Sequence, residues 1–350
     1  MKPTPPPPPL SPEALMLGSI IQFLLSALVI LVAGAALTQF GDIIANKSRL
    51  GRLMVGTILI AGATSLPELG VNISSVRMGA ADLAAGDLIG SSLFNLLILA
   101  VLDLTRRSAG RMFSEASANQ AMTACVSIVL TAIVAIFILL ADRMGSFEIW
   151  RVGPGTIVLL GAYVVGIRMI HRGRKRSGSE EQGEHAFWPA SLERLELRGG
   201  IIGYLVAGAC ILTAAPFLAG AANTLAEASG LGGTFFGSTF VALCTSLPEA
   251  VTTFTALRIG AFSMAAGNIL GSNCFNMVVL GLLDFVHPEA LMAAVSPIHA
   301  YTAMCVIVVT CVLTLGQLYH AERTKPFVEP DAWLAILLIV ASLTGLYFVK

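Results

Sequence analysis

The pentapeptide Thr64-Ser65-Leu66-Pro67-Glu68 returns letter for letter as Thr245-Ser246-Leu247-Pro248-Glu249, each time inside a run that is otherwise almost wholly apolar. Few folds accommodate this. A carboxylate amid hydrocarbon is costly, and so is a proline inside a helix. It removes one hydrogen bond and its ring clashes with the carbonyl four residues back, here that of Ala63 or Cys244. Carbonyls freed in this way can point at a cation. A bilayer tolerates them only where protein or a wet cavity surrounds them, so the motif places Glu68 and Glu249 beside an internal site rather than beside lipid.

The runs around the motif are of membrane length. With 56% hydrophobic and 12% charged residues and a mean hydropathy of +0.82 over 350 residues, the chain is too apolar for a soluble domain of this size. An all-α integral membrane protein of ten transmembrane helices is expected. Its spans begin near Leu17, Arg52, Ala80, Asn119, Val152, Gly199, Gly233, Ala261, Pro297 and Ala332. The lipid bilayer is thus a partner, whereas a formal net charge of zero argues against nucleic acid. The six cysteines lie in apolar runs without metal spacing and are read as small core residues. No nucleophile–base pair, phosphate loop or cofactor fingerprint is present, so neither an enzyme nor a bound cofactor is expected.

Residues 1–16 hold a five-proline run and are expected to be a disordered lead-in without the regions of a secretory signal. The hydrophilic stretch 172–198 reads as a cytoplasmic linker between two five-helix halves, 17–171 and 199–350. On this division, with the N-terminus outside, 16 of the 21 Lys and Arg residues fall on the linker's side of the membrane. The positive-inside rule then places both termini outside the cytoplasm, in the cell's limiting membrane.

Aligned on the two glutamates without a gap, residues 56–103 match 237–284 at 20 of 48 positions. The matches include Gly56/Gly237, Arg77/Arg258, Gly86/Gly267, Gly90/Gly271, Ser91/Ser272, Asn95/Asn276 and Asp103/Asp284, while apolar positions drift. Five spans per half is an odd number, so the second copy enters the membrane from the opposite face. Inverted repeats of this kind place a shared site near the midplane and give alternating access by rocking of one part against another.

Thr64, Ser65 and Glu68 stand at i, i+1 and i+4, so one helical wall presents two hydroxyls and a carboxylate, backed by any carbonyl released around Ala61 to Ala63. Ser91 and Asn95 add a hydroxyl and an amide oxygen four residues apart. The second half supplies Thr245, Ser246, Glu249, Ser272 and Asn276 in the same manner. The set is all oxygen with two negative charges. Hard cations such as Na⁺ or Ca²⁺ prefer these ligands, whereas zinc and copper prefer nitrogen or sulfur. A buried carboxylate can also take up a proton, which leaves proton coupling open.

The stretches GTILIAGATSLPEL…AAGDLIGSSLFNLL and GSTFVALCTSLPEA…AAGNILGSNCFNMV resemble the two α-repeats of the sodium/calcium exchanger family within the cation/calcium antiporter superfamily. The resemblance implies a ten-span exchanger whose first and sixth spans slide across a core. It implies ion ligands at Glu68 and Glu249, at Thr64, Ser65 and Ala61, at Thr245, Ser246 and Ala242, and at Ser91, Asn95, Ser272 and Asn276.

Departures from the pattern concern the ions more than the fold. Ala63 and Cys244 stand where the family has glycine, and Gly86-Asp87 where the first repeat commonly reads Gly-Asn. Asp87 has two readings, a third carboxylate near the pathway or a cap at the interface. Asn95 and Asn276 are amides where proton-coupled relatives are acidic, which favours Na⁺ as the counter-ion. Secondary antiport of Ca²⁺ against Na⁺ is therefore expected. The alternatives are exchange of Ca²⁺ or another divalent cation against H⁺, and a transport-inactive cation sensor acting through the linker. Asp103 and Asp284 are expected at the water interface, Arg77 and Arg258 at the headgroups, and His299 at the interface near a span start.

Overall fold

The structure is a computed structural model and describes residues 12–48, 50–105, 117–144, 152–177, 196–228, 245–319 and 330–349. It is built of helices: α1 (Pro12–Ser48), α2 (Arg52–Arg77), α3 (Ala81–Thr105), α4 (Ser117–Met144), α5 (Pro154–Ser177), α6 (Leu197–Ala228), α7 (Leu247–Arg258), α8 (Phe262–Leu283), α9 (Ile298–Tyr319) and α10 (Pro330–Val349). A single turn, Leu291–Ala294, precedes α9. Among the described residues, α1 to α6, α8 and α9 are each long and apolar enough to cross a membrane. The expected start of the seventh span, near Gly233, lies outside the described residues. So do the proline-rich lead-in before Pro12 and the linker residues 178–195.

The ten transmembrane helices form two inverted five-helix repeats, and helix pairing shows the correspondence. α1 packs on α7 as α6 packs on α2, and α3 packs on α9 and α10 as α8 packs on α4 and α5. The turns agree as well. Between α2 and α3, Gly79 takes φ +79° and Ala80 N–H donates to the Ser75 carbonyl at 2.9 Å. Between α7 and α8, Gly260 takes φ +71° and Ala261 N–H donates to the Ala256 carbonyl at 2.8 Å. This is a left-handed glycine closing a helix, a conformation that any side chain would strain.

Between membrane helices there is no hydrophobic driving force, because lipid is as apolar as leucine; close backbone approach and interhelical hydrogen bonds take its place. The chain uses glycine for the first of these. A Cβ on Gly56 would collide with the Met264 backbone of α8, and one on Gly271 would sit 2.7 Å from Thr57 Cα and 2.9 Å from Ala61 Cβ. The long helices α1 and α6 lie along each other, with Gly203 against the Phe40 ring. α1 turns Leu24, Leu25, Leu28 and Val32 outward. The central helix α8 is the most enclosed, so the polar groups it carries face protein.

Pro67 lies inside its helix, which runs as α-helix from Ala61 to Arg77. The departure from α geometry comes earlier, as a π turn over Val55–Ile60, where Gly56 admits the backbone of α8. In that turn the Leu59 carbonyl is taken by the Tyr204 hydroxyl of α6. Pro248 lies in the first turn of α7, where a missing N–H costs nothing. The expectation for Asp284 is corrected. It is buried rather than at the water interface, and its two oxygens accept the backbone N–H groups of Gly153 (2.7 Å) and Leu291 (2.5 Å), tying the start of α5 to the turn before α9. The side chain of Asp103, and Arg106 and Arg107, lie outside the described residues.

Candidate functional site

The site lies where α2 and α3 of one half face α7 and α8 of the other. Glu68 and Glu249 come close enough to interact electrostatically, and Thr64 of the first half stands beside the Glu249 carboxylate of the second. Thr64 Oγ1 also lies 3.1 Å from the Ile60 carbonyl and 3.2 Å from that of Ala61. A hydroxyl has one proton to give, so it serves one of these acceptors at a time. Among the described residues, neither glutamate is ion-paired with Lys, Arg or His.

Around the two carboxylates, Ser65, Glu68, Ser91 and Asn95, with Ser246, Glu249, Ser272 and Asn276, are each exposed by 3% or less. In every one of these eight side chains an oxygen is buried without a hydrogen-bond partner among the described residues: Oγ of each serine, Oε2 of each glutamate and Oδ1 of each asparagine. Leaving one such group unsatisfied costs about 1–3 kcal/mol, and a charged group costs more. Eight together, in symmetry-related pairs, would be a severe penalty unless a cation answers them. The donor set is hard, oxygen-only and carries two formal negative charges, which fits Na⁺ and Ca²⁺ and does not fit a thiophilic metal.

The remaining expected residues are placed as follows. Thr245 is buried just before α7. The Ala61 carbonyl lies 3.2 Å from the Thr64 hydroxyl. Ala242 and Cys244 lie outside the described residues. Asp87 stands one turn before Ser91 and accepts a 2.8 Å hydrogen bond from Asn72 Nδ2. It lies within electrostatic range of both glutamates, but among the described residues no three acidic, His or Cys side chains converge to hold one ion.

Several polar residues were passed over by the sequence reading because the two copies differ there. Asn95 Nδ2 donates to Asn273 Oδ1 across the two halves at 3.0 Å, and Asn276 Nδ2 donates to Ser92 Oγ at 3.3 Å. Ser92 and Asn273 are equivalent positions, so the two bonds are one contact repeated by the pseudo-twofold. The pair Asn72 and Asp87 and its equivalent, Thr253 and Asn268, are a second such set. Asn72 Nδ2 bridges the Glu68 carbonyl (2.9 Å) and Asp87, while Asn268 Nδ2 donates to Thr252 and Thr253 (both 2.8 Å) and approaches the Glu249 carbonyl at 3.4 Å. The signal was present as polar residues at matched positions in apolar helices. Identity between the copies was the wrong filter for finding it.

Comparison with known proteins agrees with this architecture. The model of a family described as "Sodium/calcium exchanger protein" matches residues 18–169 and 199–349. CaxA of Alkalimonas amylolytica is 26% identical over 317 residues, covering 87% of this chain and 92% of that protein. Sodium/calcium exchanger MaX1 of Methanosarcina acetivorans is 31% identical over 153 residues, 42% of this chain and 43% of its own length. Among solved structures, the sodium-calcium exchanger NCX_Mj superposes with a TM-score of 0.66 over 96% of this chain and all of that one, at 18% identity.

Proposed function

Because the chain belongs to the sodium/calcium exchanger protein family, we propose that this multi-pass membrane antiporter exchanges Ca²⁺ for Na⁺ at the site between its two halves. The ligands are Glu68, Glu249, Ser65, Ser246, Ser91, Ser272, Asn95 and Asn276, with the hydroxyls of Thr64 and Thr245 and the backbone carbonyls of Ala61 and Ala242. The observation that carries this reading is the set of eight buried oxygens, paired by symmetry around two carboxylates and without partners among the described residues.

Charge balance gives the mechanism. One Ca²⁺ neutralises the two glutamates, and two or three Na⁺ do so with little or no excess. A bare site would carry two negative charges through a dry, low-dielectric barrier, where even after relaxation an uncompensated ion costs several kcal/mol. The empty carrier therefore does not reorient, and each ion leaves only when the other replaces it. Closure over the site falls to α1 and α6, which lie along each other and rest on the glutamate helices of opposite halves. The basic linker lies in the cytoplasm and both termini lie outside it, in keeping with the distribution of Lys and Arg.

Flux in reconstituted vesicles tests the reading. Vesicles loaded with Na⁺ and diluted into Na⁺-free buffer should accumulate Ca²⁺, and the Glu68→Gln and Glu249→Gln proteins, folded by size-exclusion chromatography, should not. Uptake that ignores the Na⁺ gradient and follows an imposed pH gradient would assign the exchange to protons. Saturable Ca²⁺ binding without any flux would make the protein a sensor.

A further inference from the structure

The pseudo-twofold makes it possible to compare the two ends of the site residue by residue, and one end is acidic where the other is neutral. Asp87 of α3 corresponds to Asn268 of α8, and Asp82 corresponds to Ser263. The local architecture is otherwise conserved. Asn72 donates to Asp87 at 2.8 Å, and the equivalent contact on the other side is Asn268 donating to Thr253 at 2.8 Å. Asp82 accepts the Ser296 N–H at 2.6 Å and meets His299 Nε2 at 3.0 Å, whereas Ser263 accepts Gln120 Nε2 at 3.3 Å. The cationic residues do not redress the difference. Arg77 is exposed at the end of α2, and Arg258 occupies the matching end of α7, over the Phe254 ring at 4.8 Å.

Because the repeats are inverted, equivalent positions lie toward opposite faces of the membrane. Asn72 and Asp87 stand one turn beyond Glu68 and Ser91, in the direction of the turn between α2 and α3. Asn268 and Thr253 stand one turn beyond Ser272 and Glu249, in the direction of the turn between α7 and α8. Asp87 is within electrostatic range of both glutamates, and one turn along its own helix Ser91 Oγ is buried without a partner. A cation arriving from that side meets a carboxylate before it meets the ligands. From the other side it meets an amide.

We infer that Asp87 recruits cations on one access route only, so that the exchanger captures Ca²⁺ more readily from the face at the N-terminal end of α3. This rests on the antiport reading above, and with the termini outside the cytoplasm that face is the extracytoplasmic one. The equilibrium set by the ion gradients is untouched, since a carrier residue cannot alter it. What changes is the rate of capture, because a fixed charge in a cleft raises the local concentration of its counter-ion in a salt-dependent way.

The test is Ca²⁺ flux in right-side-out and in inside-out membrane vesicles, each over a range of ionic strength. In the wild type, kcat/KM for Ca²⁺ should fall more steeply with salt from the Asp87 face. Asp87→Asn should lower kcat/KM from that face by about three- to tenfold at low salt, with at most about a twofold change from the other. Asp87→Glu should restore most of the loss. Equal salt slopes on the two faces of the wild type, or equal losses on both faces in Asp87→Asn, overturn the inference. The wild-type slopes decide it even if the variants fail to fold. Absence of Ca²⁺ exchange in the wild type would instead overturn the antiport reading itself.

Discussion

Asn95 of α3 donates a 3.0 Å hydrogen bond to Asn273 of α8, and its symmetry mate Asn276 donates to Ser92, the mate of Asn273. The two helices that carry four of the proposed ligands are thereby cross-tied. Each asparagine spends its amide nitrogen on the tie and keeps its carbonyl oxygen for the site, where Oδ1 of both residues is buried without a partner. Interhelical bonds in membranes contribute about 0.6 kcal/mol on average and up to about 1.7. A double-mutant cycle of Asn95→Ala and Asn273→Ala, read by thermal unfolding in detergent without Na⁺ or Ca²⁺, should return a coupling of about 0.5–1.5 kcal/mol. Strict additivity would mean that the bond contributes nothing.

Ion binding should appear as stability. A ligand at about 100 times its Kd stabilises the state that binds it by about 2.7 kcal/mol. The wild type should therefore melt several degrees higher in saturating Ca²⁺, and Glu249→Gln should lose that shift. In ion-free buffer the same variant should melt no lower than the wild type, because it removes one of two like charges held together without a cationic partner. A clear drop in the ion-free melting temperature would mean that Glu249 has a structural role instead.

The fold was legible because two signals agreed. Apolar runs of membrane length gave the spans, and a gapless repeat across an odd number of spans gave their inversion. The glutamates, serines and asparagines of the site stood out because each is a polar residue repeated in hydrocarbon. Less could be read where the physics is set by a neighbour distant in sequence. Pro67 drew attention to its own turn of helix, yet the π turn forms around Gly56, where α8 presses its backbone against α2. Asp284 looked like an interfacial residue because it closes a span. Only the folded chain brings the N–H groups of Gly153 and Leu291 to its carboxylate. Asp87 admits two readings in the sequence, and only the fold shows its contact with Asn72 and the neutral version of that contact at the matched position, Asn268.

Close approach of α2 and α8 should be intolerant of a single methyl group. A Cβ at Gly271 would collide with the Thr57 carbonyl and crowd Ala61, both backbone or backbone-proximal and unable to rotate away. Gly271→Ala should cost about 1–3 kcal/mol or prevent folding, and the folded fraction should show impaired flux because Thr57 precedes the ligands on α2 and Ala61 is one of them. Gly70→Ala on the same helix, at an exposed position where a Cβ meets nothing within 4 Å, should be neutral or stabilising by up to about 1 kcal/mol. Thermal melts of the two variants side by side decide whether packing sets the difference.

Asp284 should matter for stability and not for ions. Its carboxylate is buried and holds two backbone N–H groups from separate segments, near a small cavity of about 30 Å³ bounded by Phe137, Gly153, Thr156 and Met292. Asp284→Ala would strand both donors, at about 1–3 kcal/mol each before relaxation or hydration through the cavity. Asp284→Asn keeps one acceptor oxygen and should lose roughly half as much. The surviving protein should keep the wild-type KM for Ca²⁺, because this carboxylate lies at the end of α8, two turns beyond Asn276 and outside the ring of ligands. A changed KM with an unchanged melting temperature would reverse the assignment and place Asp284 on the ion pathway.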